Sequence, residues 1–171
     1  MKLADGSVRI EPLAPRHDRT SFRCGNDSLD RYIREQASQD VRRGLASVFV
    51  AVMPEQPERI LGYLTLSATS VAASDLPPDA AKRLPRYPIP AALLGRLAVD
   101  QGFARRGLGG ILVADAVKKA MEAAATVAIT VVVVDPIDER ARAFYSAFGF
   151  RRLEGPQRRM FLALSRDAAR S

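Results

Sequence analysis

Arg96-Leu-Ala-Val-Asp-Gln-Gly-Phe-Ala-Arg-Arg-Gly-Leu-Gly-Gly110 is the stretch on which the reading of this 171-residue chain turns. Its first part closes an apolar strand pattern over Leu93–Val99. Its last part enters a helical period that Ile111, Leu112, Val117, Ala120 and Met121 carry within Gly107–Ala124, with the helix proper expected near Ile111. The order is therefore strand, glycine loop, helix. Without side chains at Gly107, Gly109 and Gly110, successive N–H groups can face one concavity, and the helix N-terminus adds about half a positive charge. Arg105–Gly110 is a candidate phosphate cradle, although a glycine-rich turn taken alone is equally a tight connection. The loop has no Gly-Lys-Ser/Thr ending, and Gly102, Gly107 and Gly109 do not fit the GxGxxG spacing, so nucleotide hydrolysis and dinucleotide redox chemistry lose ground.

On the N-terminal side, Val8–Leu13 alternates as a short strand would. Leu29, Ile33, Ala37 and Val41 then fall at helical spacing within Ser28–Arg43, with Asn26, Asp27 or Ser28 as N-caps and Gly44 as a stop. Ser47–Met53 and Ile60–Ala68 read as a hairpin. Asp75–Pro90 holds five prolines together with Lys82, Arg83 and Arg86, which predicts a long basic loop with at most a helical turn. On the C-terminal side, Val127–Val134 is a β-branched run of the kind buried on both faces of a sheet. A helix from about Ile137 to Phe148 follows, stopped by Gly149, then strand candidates at Phe150–Leu153 and Arg159–Leu164. The ending at Ala168–Ser171 reads as frayed. The pattern β-α-β-β-loop-β-α-β-α-β-β is an α/β (α+β) arrangement. It implies one domain over residues 1–171, with a mixed, mostly antiparallel central sheet of six to seven strands flanked by helices.

Composition narrows the chemistry. With 47% hydrophobic and 26% charged residues the chain matches an ordinary globular protein rather than a disordered one. No apolar run approaches the roughly 20 residues of a membrane span, and Met1–Arg9 has no signal-peptide core, so the expectation is a cytoplasmic protein. A single cysteine, Cys24, and a single histidine, His17, argue against a disulfide framework or a histidine-rich metal site. The net charge of +7 recurs in doublets: Arg42–Arg43, Lys82–Arg83, Arg105–Arg106, Arg151–Arg152 and Arg158–Arg159. Such a surface suits phosphates or nucleic acid, and each doublet alone is equally a solvated pair.

Three ordered motifs, Arg96–Asp100, Arg105–Gly109 and Ala141-Arg-Ala-Phe-Tyr-Ser-Ala-Phe-Gly-Phe150, resemble the GCN5-related N-acetyltransferase (GNAT) superfamily. The resemblance implies acetyl-CoA as the acetyl donor, bound by Leu97, Ala98, Val99, Arg105, Arg106, Gly107, Leu108, Gly109 and Gly110. It also implies that Tyr145 assists departure of the thiol. Asp138 stands where the family has a polar residue at the start of the helix, so the resemblance adds it to the cofactor-binding residues, although an N-cap role also explains the position. Phe22–Ile33, Gly62-Tyr-Leu-Thr-Leu-Ser67 and Leu84-Pro-Arg-Tyr-Pro-Ile-Pro90 narrow the resemblance to toxin-type GNAT enzymes of toxin–antitoxin modules. Those enzymes acetylate the α-amino group of aminoacyl-tRNA, block translation, and pair with a ribbon-helix-helix antitoxin. A homodimer is implied in the same way. The likeness covers roughly Val8 to Leu164. It departs at Ala104, where the family's loop begins with Gln or Arg.

The implied reaction is direct attack of a neutral amine on the thioester, which needs no covalent enzyme intermediate. Cys24 has no histidine near it in sequence and reads as a structural thiol. Tyr145, with a reference pKa near 10, faces a thiol near 8.5, so proton donation is not strongly uphill at the reference values. Phe144, Tyr145 and Phe148 are alternatively an aromatic core face. No His or Glu base is evident on the central strand. An α-amine near pKa 7.8 is about 14% neutral at pH 7 and lysine only about 0.04%, so the missing base favours an α-amine acceptor. Lys82, Arg83, Arg86 and Arg96 are candidate contacts to RNA phosphates. The other readings are a GNAT enzyme acting on a protein N-terminus, polyamine or antibiotic, and a non-catalytic acyl-CoA- or nucleic-acid-binding module.

Overall fold

The computed structural model describes residues 7–82, 84 and 87–164. In chain order the elements are β1 (Arg9–Pro12), α1 (Asp27–Arg31), a π-helical turn (Tyr32–Gln36), α2 (Ala37–Arg42), β2 (Ser47–Val52) and β3 (Gly62–Val71). They continue with α3 (Pro78–Ala81), β4 (Ile89–Val99), α4 (Leu108–Ala123), β5 (Val131–Val134), α5 (Glu139–Ala147), β6 (Arg151–Arg152) and β7 (Met160–Ala163). The strands make a seven-stranded sheet in the order β1-β2-β3-β4-β5-β7-β6. β4 and β5 pair in parallel, while β1–β2, β2–β3, β5–β7 and β6–β7 are antiparallel. The mixed, mostly antiparallel α/β arrangement expected from the sequence is what forms. Among the described residues, no helix is long and apolar enough to cross a membrane.

The chain divides into two compact units, residues up to Ser67 with Gly95–Ala116, and Ala68–Leu94 with Val117 onward. In the first unit, alternation along β2 turns Val48, Val50 and Val52 into a core with Phe22, Ile33, Ala37, Ile60 and Tyr63. Asn26 caps α1 by accepting the Leu29 N–H. The helical stretch from Asp27 to Arg42 is not one regular helix, because at its centre the Ala37 N–H donates to the Tyr32 carbonyl, five residues back. Ile33 and Ala37 are buried, while Val41, expected on the same stripe, is 42% exposed.

In the second unit, Val71, Leu76, Ile89, Ala91, Val131, Val133, Leu153 and Phe161 form the core. All four residues of β5 are buried, held between β4 (Ala91↔Val131 to Leu94↔Val134) and β7 (Val131↔Ala163 to Val134↔Met160). The strand is shorter than the Val127–Val134 run. The Val127 N–H still bonds to the Ala123 carbonyl at the end of α4, which leaves Val127 64% exposed. β4 starts at Ile89, inside the stretch expected to be loop. Pro90 lacks an N–H but its carbonyl accepts the Thr130 N–H at 2.9 Å, so a proline serves within the strand. The expected helical turn is α3, with Pro78 at its first position. The last strands are narrower than expected, and Ala168–Ser171 lies outside the described residues.

Candidate active site

The root of the candidate cradle is fixed by one buried carboxylate in the first unit. Asp100, at the end of β4, accepts the Gly102 N–H at 2.9 Å and the Arg23 N–H at 3.0 Å. The Asp100 N–H donates to the Leu61 carbonyl and the Gln101 N–H to the Arg23 carbonyl. A 3-10 turn at Gln101–Phe103 follows, and Phe103 is buried with the guanidinium groups of Arg59 and Arg106 each 5.0 Å from its ring centroid. That stacking holds Arg106 beside the loop.

α4 begins at Leu108, three residues before the expected Ile111, because Leu108 is apolar and fully buried and Gly107 takes a left-handed φ of 83°. Gly109 and Gly110 therefore lie in the first turn, where backbone N–H groups have no intrahelical carbonyl to bond. Arg105 also adopts a left-handed φ, 63°, which disfavours a residue with a Cβ by about 1–2 kcal/mol. Positive φ at Arg105 and Gly107, at the head of a 16-residue helix whose first N–H groups lack intrahelical partners, is backbone geometry suited to an anion such as a pyrophosphate, with the exposed Arg105 and Arg106 in the same loop. Ala104 is exposed and contributes no polar group. Behind the loop, a Cβ on Gly62 would stand 2.8 Å from the Ala98 carbonyl oxygen, 3.0 Å from Leu112 and 3.4 Å from Leu108, so only glycine lets β4 and α4 come this close.

In the second unit, α5 is capped by Asp138, whose Oδ1 accepts the Ala141 N–H at 2.8 Å. The helix ends at Gly149, which has a φ of 93°, while the Phe150 N–H returns to the Tyr145 carbonyl. Tyr145 is 8% exposed, packed edge-on against Phe144 (5.2 Å between centroids) and Phe150 (5.5 Å). The aromatic-face reading of this helix is thus half right: Tyr145 is buried among rings, but Phe148 is 41% exposed. Burial pushes the Tyr145 phenol up to about 12. It remains a neutral donor at any ordinary pH. Full transfer of its proton to a thiolate near 8.5 is uphill by about 5 kcal/mol, more than the reference value implied.

The remaining sequence candidates divide. Leu97, Ala98 and Val99 lie on β4, with Ala98 buried. Arg96 places its guanidinium 3.6 Å from the centroid of the Tyr32 ring, and Tyr32 donates to Asp40 at 2.9 Å. Lys82 is exposed; Arg83 and Arg86 lie outside the described residues. Burial and the nearby Asp30 carboxylate push the Cys24 thiol up to about 11, opposite to what a nucleophile needs. His17 has both ring nitrogens occupied, one by the Ala14 N–H at 2.9 Å and one by Glu11 at 2.7 Å. The Asp100 anchor and the Phe103 platform were not anticipated. The Asp-Gln-Gly turn at Asp100 was their one sequence signal.

Residues 16–150 match the Acetyltransferase (GNAT) family. The chain is 37% identical over 133 residues, 78% of either chain, to a tRNA-acetylating toxin of Mycobacterium tuberculosis. It superposes on AtaT complexed with acetyl-methionyl-tRNAfMet with a TM-score of 0.86 at 28% identity, covering 91% of this chain and 94% of that one. Against AtaTR bound with acetyl-CoA the TM-score is 0.78 at 26% identity, with 96% of each chain covered. The chain belongs to the GNAT acetyltransferase family.

Proposed function

We propose that this acetyltransferase moves the acetyl group of acetyl-CoA to the α-amino group of aminoacyl-tRNA, and so acts as a toxin that blocks translation. The observation that carries this reading is the positive φ of Arg105 and Gly107 at the head of α4, backed by the Phe103-stacked Arg106. The likeness to tRNA-acetylating relatives supports the acceptor. Acetyl-CoA supplies the acetyl group as a thioester. The Arg105–Gly110 amides and guanidinium groups hold pyrophosphate, and a backbone N–H of Leu97–Val99 donates to the carbonyl oxygen as it gains charge. The amine nitrogen bonds to the carbonyl carbon as the C–S bond breaks, and the amine's proton leaves to water. The Tyr145 hydroxyl steadies the departing sulfur by hydrogen bonding, in keeping with its raised pKa. Asp138 keeps the first turn of α5 in place. Lys82, Arg83, Arg86 and Arg96 are proposed RNA contacts, Arg96 through the stack on Tyr32.

Incubation with labelled acetyl-CoA and either charged or deacylated bulk tRNA tests the reading. Label on charged tRNA alone supports it, and efficient labelling of peptides with none on tRNA refutes it. The pH profile follows from the two ionisations. kcat/KM should climb as the α-amine loses its proton near about pH 7.8 and then stay level to about pH 9.5. A phenol raised to about 12 is still protonated there, so a descending limb below about pH 9.5 would remove Tyr145 from the proposed role.

The proposal extends to a ribbon-helix-helix antitoxin and a homodimer, both drawn from the subfamily resemblance, and to a single domain. All three passages of the chain between its two units fall inside β3, β4 and α4, which supports the single-domain reading.

A further inference from the structure

The arginine doublets at the C-terminal end of the second unit are divided in the same way. On β6, alternation sends neighbouring side chains to opposite faces. Arg151 makes a two-pronged ion pair with Asp79, at 2.8 and 3.0 Å. Arg159, just before β7, makes another with Asp135, also at 2.8 and 3.0 Å. Their neighbours Arg152 and Arg158 are exposed, have no carboxylate partner among the described residues, and line one cleft of about 420 Å³ at the start of α5. Of the carboxylates on that cleft, Glu139 pairs with Arg142 at 2.8 Å, while Asp138 caps α5 by accepting the Ala141 N–H and keeps its charge. Arg142, Arg152 and Arg158 set against Asp138 and Glu139 leave this lining with a net positive charge, and the two guanidinium groups without an ion pair face a space large enough for a nucleotide, beside an apolar wall that includes Pro156 and the exposed Ile137.

We propose that this cleft is a phosphate subsite for the RNA acceptor, in which Arg152 and Arg158 grip the backbone while Ile137 and Pro156 receive a ribose or base face. It shares no residue with the cradle at α4, and it deepens the function proposed above, on which the identity of the ligand as tRNA rests. Each paired arginine serves the fold, and each unpaired one serves the ligand.

The test compares two double variants that remove the same formal charge, Arg152→Gln/Arg158→Gln and Arg151→Gln/Arg159→Gln, in salt titrations of binding to deacylated bulk tRNA. The first pair should lower affinity about tenfold or more at low salt and reduce the log K against log salt slope by about 1.4 to 1.8, which is two phosphate contacts. The second should leave the slope at its wild-type value. Acetyl-CoA affinity, measured by calorimetry, should be unchanged in both. Equal slopes for the two variants, or no tRNA binding by the wild type, would overturn the subsite. Weakened acetyl-CoA binding with an intact tRNA slope would also overturn it and assign the cleft to the cofactor's phosphate. Acetyl transfer to charged tRNA is scored separately. Cleft-dependent tRNA binding without transfer keeps the subsite and rejects the acetylation reading. Transfer with slope-neutral variants does the reverse.

Discussion

Tyr145→Phe should lower kcat by about 10²- to 10³-fold while leaving the Kd for acetyl-CoA within about twofold. The substitution removes one oxygen and keeps the ring, so the packing against Phe144 and Phe150 that holds α5 should survive, and unfolding should be little altered. What is lost is a neutral donor, fixed in place and kept protonated by burial, at the stage when sulfur acquires charge. Stopped turnover with intact binding separates this outcome from a packing defect, which would lower both. A variant with wild-type kcat would mean that the departing sulfur needs no hydrogen-bond donor from this position and would reduce Tyr145 to a core residue.

Asp100→Ala should produce the second large effect, and on a different quantity. The substitution leaves the Gly102 and Arg23 N–H groups without the carboxylate they bond, at a site only 8% exposed. Hydrogen bonds to a charged group contribute about 1.5–3 kcal/mol each, and because Gly102 and Arg23 are themselves exposed and can turn their N–H groups to water, a loss of about 1–3 kcal/mol in folding stability is expected, read as a lower urea midpoint at constant m. The molecules that remain folded should bind acetyl-CoA about tenfold more weakly, since the loop toward Arg105 is then rooted at one end only. Asp100→Asn, which keeps one acceptor oxygen, should lie between the two. A stability indistinguishable from wild type would mean that the loop is anchored elsewhere.

The parts of the fold legible in the sequence were those where one local rule acted alone. Val131–Val134 is buried on both faces as its β-branched run implied, and α5 runs from the cap at Asp138 to the glycine stop at Gly149 as its end signals implied. The misreadings fall where two rules compete. Val41 continues the apolar stripe of Ala37 in sequence, but it stands next to the last residue of α2, where the helix stops, and is exposed. Glycines argue for loop as far as Gly110, whereas the buried Leu108 draws the first turn of α4 back to position 108. At the candidate site, the glycine pattern marks the loop, and the family resemblance supplies Tyr145 as the proposed donor. The left-handed Arg105 could not be found that way, since nothing in an arginine announces a positive φ. Nor could the splitting of each arginine doublet, which depends on carboxylates at Asp79 and Asp135 that lie far from them in sequence.

The close approach at Gly62 bears on how this chain can change over generations. A single methyl group there would act as a wedge, pressing at once on the strand that carries Leu97–Val99 and on the first turns of the helix that follows the loop. Selection for cofactor capture therefore reaches a residue on another strand, behind the loop. Neutral drift at position 62 is closed, and a library randomised there and screened for acetyl transfer should return glycine nearly alone.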